Sequence, residues 1–105
     1  MNPGIVKTVE WLRSHQFSTC DSGDGKTHDF ECDQPYPYVY MEVAAEDLAY
    51  EADRLVRLLR RDFPGRPEGF TQDGEYAGWV VEANYSPQDG YAFVTLVNFT
   101  VEGAK

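Results

Sequence analysis

Tyr38-Val39-Tyr40-Met41-Glu42-Val43 runs directly into Ala44-Ala45-Glu46-Asp47-Leu48-Ala49-Tyr50-Glu51-Ala52-Asp53-Arg54-Leu55-Val56-Arg57-Leu58-Leu59-Arg60-Arg61-Asp62, and the apolar period changes at the junction from that of a strand to that of a helix. In the first segment Val39, Met41 and Val43 point one way while Tyr38, Tyr40 and Glu42 point the other, the pattern of a half-buried strand. In the second, Leu48, Ala52, Leu55, Val56, Leu59 and Phe63 form one continuous stripe. Glu46, Asp47, Glu51 and Asp53 occupy its N-terminal half and Arg54, Arg57, Arg60 and Arg61 its C-terminal half, each sign where the helix dipole favours it. Asp53 and Arg57 are spaced as an i,i+4 ion pair, and Pro64-Gly65 ends the helix. A strand and a helix with one apolar face each must bury those faces against one another, which makes the fold α+β.

Toward the N-terminus, Ile5, Val9 and Leu12 predict a helix over Pro3 to about Gln16, with Asn2 as its cap. Phe17 to Cys20 reads as a short strand stopped by a turn at Asp21-Ser22-Gly23-Asp24-Gly25, with Thr27 to Cys32 returning antiparallel to it. Pro35 and Pro37 withhold backbone donors, so Asp33 to Pro37 is a loop. Toward the C-terminus, Arg66 to Gly74 is a polar connector and candidate hinge. Gly78 to Tyr85 and Tyr91 to Thr100 predict a hairpin around Ser86-Pro87-Gln88-Asp89-Gly90, a type I turn closed by glycine. Trp79, Val81, Ala83 and Tyr85 share one face of its first strand, and Val80, Glu82 and Asn84 the other. In its second strand Phe93, Val97 and Phe99 share one face and Ala92, Val94 and Leu96 the other, so both faces are expected to be covered. The expected order is α-(β-β)-β-α-β-β: two helices on one face of an antiparallel sheet of about three to five strands, in a single domain over residues 1–105.

The chain has 105 residues, of which 42% are hydrophobic and 14% aromatic, enough to drive folding and too much for a disordered chain. No apolar run is long enough to cross a bilayer and no secretory leader is evident, so a cytoplasmic location is expected, where Cys20 and Cys32 remain thiols. A net charge of −9 opposes direct binding to nucleic acid. From Glu68 to Glu102 the chain carries Glu68, Asp73, Glu75, Glu82, Asp89 and Glu102 with no Lys or Arg among them.

Chemistry has few footholds. His15, Cys20, His28 and Cys32 are soft ligands, but no C-x2-C pair is present and His15 ends a helix, so a zinc site is a weak alternative to ordinary thiols and imidazoles. The Asp21 to Gly25 run lacks the bidentate glutamate of a calcium loop and the lysine and helix of a phosphate loop. Ser14 and His15 diverge on a helix, and Cys20 or Cys32 with His28 lacks an orienting third group, so no catalytic residue and no cofactor is expected. The aromatic cluster says more. Tyr36, Tyr38 and Tyr40 precede the second helix, and Tyr76, Trp79, Tyr85 and Tyr91 lie in and around the hairpin; such residues serve either binding surfaces or sheet packing. With Glu75, Glu82 and Asp89 beside them, Tyr38, Tyr40, Tyr76, Trp79 and Tyr85 are the candidate binding residues.

The strings Val9-Glu10-Trp11-Leu12-x-Ser14, Phe17-x-Thr19-x-Asp21-Ser22-Gly23-Asp24-Gly25, Pro37-x-Val39, Glu46-Asp47-Leu48, Glu51-Ala52-Asp53-Arg54-Leu55 and Tyr85-Ser86-Pro87-x-Asp89-Gly90 resemble a family of small proteins encoded by bacteriophages and prophages. The resemblance covers most of the chain and implies a phage origin and an α+β domain, with no catalytic residue carried over; His15 and Cys20 stand where that pattern has other residues. The expectation is then a non-enzymatic binding protein for a protein partner. In its concrete form it inhibits a host-defence or nucleic-acid-handling complex, in the manner of an anti-CRISPR, by presenting carboxylates in place of phosphates and rings in place of bases. A homo-oligomeric accessory phage protein, dimeric through its aromatic sheet face, is the alternative; a small zinc or thiol enzyme is a further one.

Overall fold

A 3-10 turn at Pro3–Ile5 leads into α1 (Val6–Ser14), and the chain then passes through β1 (Ser18–Gly23), β2 (Tyr38–Val43), a 3-10 turn at Ala45–Asp47, α2 (Leu48–Asp62), β3 (Val80–Ser86) and β4 (Tyr91–Val97). The computed structural model describes residues 3–23, 25 and 35–102. The strands form one four-stranded sheet in the order β1-β2-β4-β3, every neighbouring pair antiparallel. The α+β class matches the reading of the sequence, and the element order is roughly the one expected. The proposed cap at Asn2 and the return strand at Thr27 to Cys32 lie outside the described residues.

Both helices pack on one face of the sheet. Ile5 of the 3-10 turn, Val9 and Leu12 of α1 and Leu55 and Leu59 of α2 meet Val39 and Met41 of β2 and Val94 and Leu96 of β4, all at most 1% exposed. Each such aliphatic side chain contributes roughly 1.5–3 kcal/mol of burial. Phe17, Trp79 and Phe99 complete this core. Thr8, on the inward face of α1, is also buried, and its Oγ1 accepts the Val101 N–H at 2.8 Å.

α1 stops in a Schellman motif. Gln16 takes a left-handed φ of 68°, its N–H donates to the Arg13 carbonyl at 2.9 Å, and the Phe17 N–H reaches back to the Leu12 carbonyl at 3.1 Å. Phe17 and Leu12, brought together by these bonds, are both core residues. The strand that follows is longer than the sequence suggested: Asp21, Ser22 and Gly23 continue β1, pairing with Tyr40, Val39 and Tyr38, and the irregularity falls as a bulge at Cys20 between Thr19 and Asp21. Pairing to the strongly patterned β2 outweighs the turn preference of Asp, Ser and Gly.

The hairpin is closed by the Gly90 N–H donating to the Ser86 carbonyl at 2.8 Å, with Gly90 at φ 73°. Beyond β4 the expected alternation fails at one residue. Asn98 adopts a φ of 63°, which turns Phe99 off the face it would share with Phe93 and Val97 and into the helix-side core, against Phe63 at 5.1 Å and Trp11 at 6.3 Å. The Asn98 N–H donates to the Pro37 carbonyl at 2.7 Å and its Nδ2 to the Gly78 carbonyl at 3.0 Å, and these bonds hold the left-handed backbone in place.

The connector from Arg66 to Gly74 is fastened at several points, unlike a free hinge. Arg60 grips Glu68 with two bonds of 3.0 and 2.8 Å, and Arg66 donates to the Thr100 and Val101 carbonyls at 2.8 Å. Glu68 bridges to Trp79 in parallel and Phe70 to Tyr76 antiparallel. Gly78 is where this segment crosses closest, since a Cβ there would run into the Pro67 carbonyl.

Candidate functional site

The register lays out what stands on the sheet face away from the helices. Asp21, Tyr40, Thr95 and Glu82 form one row across β1, β2, β4 and β3; Ser18, Glu42, Phe93 and Asn84 form the next; Gly23, Tyr38, Val97 and Val80 form a third. Period-two alternation in β2 and β4 places these residues opposite Val39, Met41, Val94 and Leu96. Rings run through the rows as a ladder. Tyr38 meets Tyr40 at 5.5 Å, Tyr40 meets Phe93 at 6.4 Å, and Phe93 meets Tyr91 at 6.1 Å. A second group adjoins it, in which Tyr76 packs on Tyr36 at 4.7 Å and stacks on Phe70 at 5.0 Å. Burial first, then the neighbouring Tyr36 and the charge of Glu82, push the Tyr76 phenol up to about 12, so it stays a neutral hydrogen-bonding group.

The cations are unevenly placed among the described residues. The described cations lie on α1 and α2 or, for Arg66, just past α2. Lys7 pairs with Glu102 at 2.9 Å, Arg54 with Glu51 at 2.7 Å, Arg57 with Asp53 at 2.9 Å, Arg60 with Glu68 at 2.8 Å and Arg61 with Asp62 at 2.7 Å. Arg13 donates to the Thr19 hydroxyl, and Arg66 stacks on Phe99 at 4.7 Å while bonding backbone carbonyls. Two acids of the Glu68 to Glu102 stretch, Glu68 and Glu102 themselves, are thereby neutralised. Asp73, Glu75, Glu82 and Asp89 are not, nor are Asp21 and Glu42 on the first strands: among the described residues none of these meets a cation in an ion pair. They are exposed, so their field reaches solvent.

The candidate residues named from sequence are only partly brought together. Tyr38, Tyr40 and Glu82 share the face away from the helices, with Tyr76 near enough to feel the charge of Glu82. Glu75 lies in the fastened connector, its carbonyl accepting the Thr71 N–H at 2.7 Å, and Asp89 sits in the hairpin turn, accepting the Ser86 hydroxyl at 3.1 Å. Trp79 is not a surface residue: it is 4% exposed and belongs to the core, because it stands one residue before β3 on the face that α2 covers. Tyr85 pairs with Ala92 and so projects to the helix side, yet it is 53% exposed because that end of β3 lies beyond the helices' cover. Phe70, 54% exposed and stacked on Tyr76, was missed from sequence; a lone aromatic in a loop of Pro, Gly, Gln and Asp was the signal.

The soft-ligand quartet does not assemble among the described residues. His15 packs edge-on against Trp11 at 5.1 Å with Nε2 at 3.6 Å from Asp62, while the Cys20 thiol donates to the Tyr40 carbonyl at 3.4 Å on the far strand edge. His28 and Cys32 lie outside the described residues. No group of three or more His, Cys, Asp or Glu among the described residues is placed to hold a metal. Burial first, then the charges of Glu42 and Asp21, push the Cys20 thiol up, which opposes a nucleophilic thiolate. A hollow beside Phe17, Glu42 and Asp47 measures about 120 Å³, below the roughly 300 Å³ at which small-molecule sites begin.

What the face can do is hold cations. Rings attract ammonium and guanidinium groups through their π faces, and carboxylates beside them add charge and hydrogen bonds. The protein already uses this chemistry internally, where Arg54 lies 4.0 Å over the Phe17 ring.

The chain matches no protein-family model, no curated protein and no solved structure. No helix among the described residues is long and apolar enough to cross a membrane.

Proposed function

We propose that the protein is a non-enzymatic binding protein, of phage origin, that docks the aromatic and acidic side of its sheet onto a basic protein surface. One observation carries the reading: among the described residues, the basic ones are confined to the helix side and mostly paired, whereas the sheet side interleaves tyrosine and phenylalanine rings with carboxylates that meet no described cation. A surface of that composition complements a channel built for nucleic acid, with carboxylates at the places of phosphates and rings at the places of bases. An inhibitor of a host nuclease or CRISPR-type effector in the cytoplasm is the concrete form.

Capture from bacterial lysate tests it, with the native protein and with a Glu75→Gln, Glu82→Gln, Asp89→Asn triple variant run side by side at low and high salt. The expected result is a nucleic-acid-handling protein whose retention falls steeply with salt and with the triple substitution, and whose own nucleic-acid binding is displaced competitively. Retention indifferent to both salt and charge removal refutes the mimicry.

A further inference from the structure

Among the described residues β3 and β1 are the two edges of the sheet, and they are built differently. β1 carries the bulge at Cys20, a common device for discouraging strand addition. β3 holds an unbroken register with β4 from Val80 to Ser86, contains no Lys or Pro, and is exposed from Glu82 to Tyr85. Its outer backbone groups are identified by Trp79. The Trp79 N–H donates to the Pro67 carbonyl at 3.1 Å and its carbonyl accepts the Gly69 N–H at 2.9 Å, so residue 79 turns both groups away from β4. Period two then turns the N–H and C=O groups of Val81, Ala83 and Tyr85 to the same outer side, where no described residue bonds them. Residues Pro67 to Gly69 are thus a one-bridge stub of a fifth strand, and beyond it the edge is open among the described residues.

We infer that β3 is a strand-addition site that takes an extended, basic segment of a partner protein along Val81 to Tyr85. The inference rests on the proposed function for the basic character of that partner. Charge complementarity chooses the occupant. A strand laid on β3 places alternate side chains beside Glu82, which has no described cation partner, and the intervening ones beside Ala83 and the 53% exposed Tyr85. Lysine or arginine alternating with apolar residues fits both rows. A second copy of this chain is disfavoured, since it would bring its own net charge of −9 to the same edge.

The probe is an end-blocked seven-residue peptide alternating lysine and valine, titrated into the isotope-labelled full-length protein with amide exchange followed by NMR. The Val81, Ala83 and Tyr85 amides are expected to slow at least about tenfold on binding, and a peptide N-methylated at the nitrogens facing β3 to bind at least about tenfold more weakly. Ala83→Pro removes one outer donor without touching the β4 ladder and is expected to weaken binding to the same degree with the fold intact. The N-methylated peptide asks the same question of unaltered protein should that variant misfold. Binding that leaves those amides unprotected, or that survives N-methylation, overturns strand addition; if that binding still falls with salt and with Glu82→Gln, the docking face stands without the edge. A free protein that sediments as a dimer, and as a monomer once Ala83→Pro is made, overturns the choice of occupant in favour of a second copy.

Discussion

Two buried threonines, replaced by the same isosteric residue, are expected to move stability in opposite directions. Thr8 and Thr95 are 1% and 2% exposed, so neither hydroxyl has solvent to fall back on. The Thr8 Oγ1 accepts the Val101 N–H at 2.8 Å, which ties α1 to the chain beyond β4. The Thr95 Oγ1, in the middle of the sheet face away from the helices, has no partner among the described residues. Thr8→Val removes an acceptor and strands a partly buried N–H, a loss of about 1–3 kcal/mol. Thr95→Val replaces a desolvated hydroxyl that gains nothing in return by a methyl in a strand position that favours β-branching, and should stabilise by about 1 kcal/mol. The gap between the variants is then about 2–4 kcal/mol, and at roughly 4–8 °C per kcal/mol for a domain of this size it separates their melting temperatures by at least about 8 °C. Urea and thermal unfolding followed by tryptophan fluorescence read it directly, since Trp79 is in the core and Trp11 packs against it. Shifts of the same sign in both variants, or a Thr95→Val protein weaker than the parent, would refute the assignment of the two hydroxyls.

The two left-handed residues make a second pair. Gln16→Gly relieves a strained backbone at the end of α1 and loses no side-chain bond described for it, so a gain of about 0.5–1 kcal/mol is expected; Asn98→Gly relieves the same strain but loses the bond to the Gly78 carbonyl, so it is expected to be neutral or destabilising by up to about 1 kcal/mol in the same urea titration. Acid should first loosen the contacts around α2. The Arg61 hydrogen bond, aided by the Trp11 indole, holds Asp62 below its ordinary value of 3.8, and the Arg60 hydrogen bond holds Glu68 below 4.5. For carboxylates depressed in the folded state, the stabilisation is fully present above the ordinary value and disappears as pH falls through the folded one. Asp62→Asn and Glu68→Gln should therefore lower the melting temperature slightly at pH 7, by an amount that shrinks as the pH falls below the ordinary values; an effect that does not change with pH would show that the groups act by packing instead.

The fold was legible wherever period and burial agree. Val39, Met41, Leu55 and Leu59 sit where the strand and helix stripes put them, because each element has one neighbour to bury against and the pattern records which side it is on. Legibility ended where one backbone angle or one long-range pairing decided the outcome. Phe99 left its expected face because of a single φ at Asn98, fixed by bonds to Pro37 and Gly78 that are distant in sequence. Asp21 to Gly23 joined β1 because β2 was there to pair with, against their local preference for a turn.

The same distinction separates the candidate surface from the list of residues that suggested it. Counting carboxylates between Glu68 and Glu102 located the acidic half but not its neutralised members, since Arg60 and Lys7 reach Glu68 and Glu102 from the helices. Counting rings likewise gathered Trp79 with Tyr40, although the half-turn between alternate residues sends one into the core and leaves the other on the far face. What a sequence supplies for a binding surface is its composition; what the sheet adds is the sorting, by which the rings of Tyr38, Tyr40, Phe93 and Tyr91 and the carboxylates Asp21, Glu42 and Glu82, which meet no described cation, come to one side and the arginines to the other. An acidic protein with its charges evenly spread would be repelled by nucleic acid and drawn weakly to any cation. Sorted in this way, it has a side that would, under the proposed function, select for a basic partner, and another on which most of the described cations are already paired.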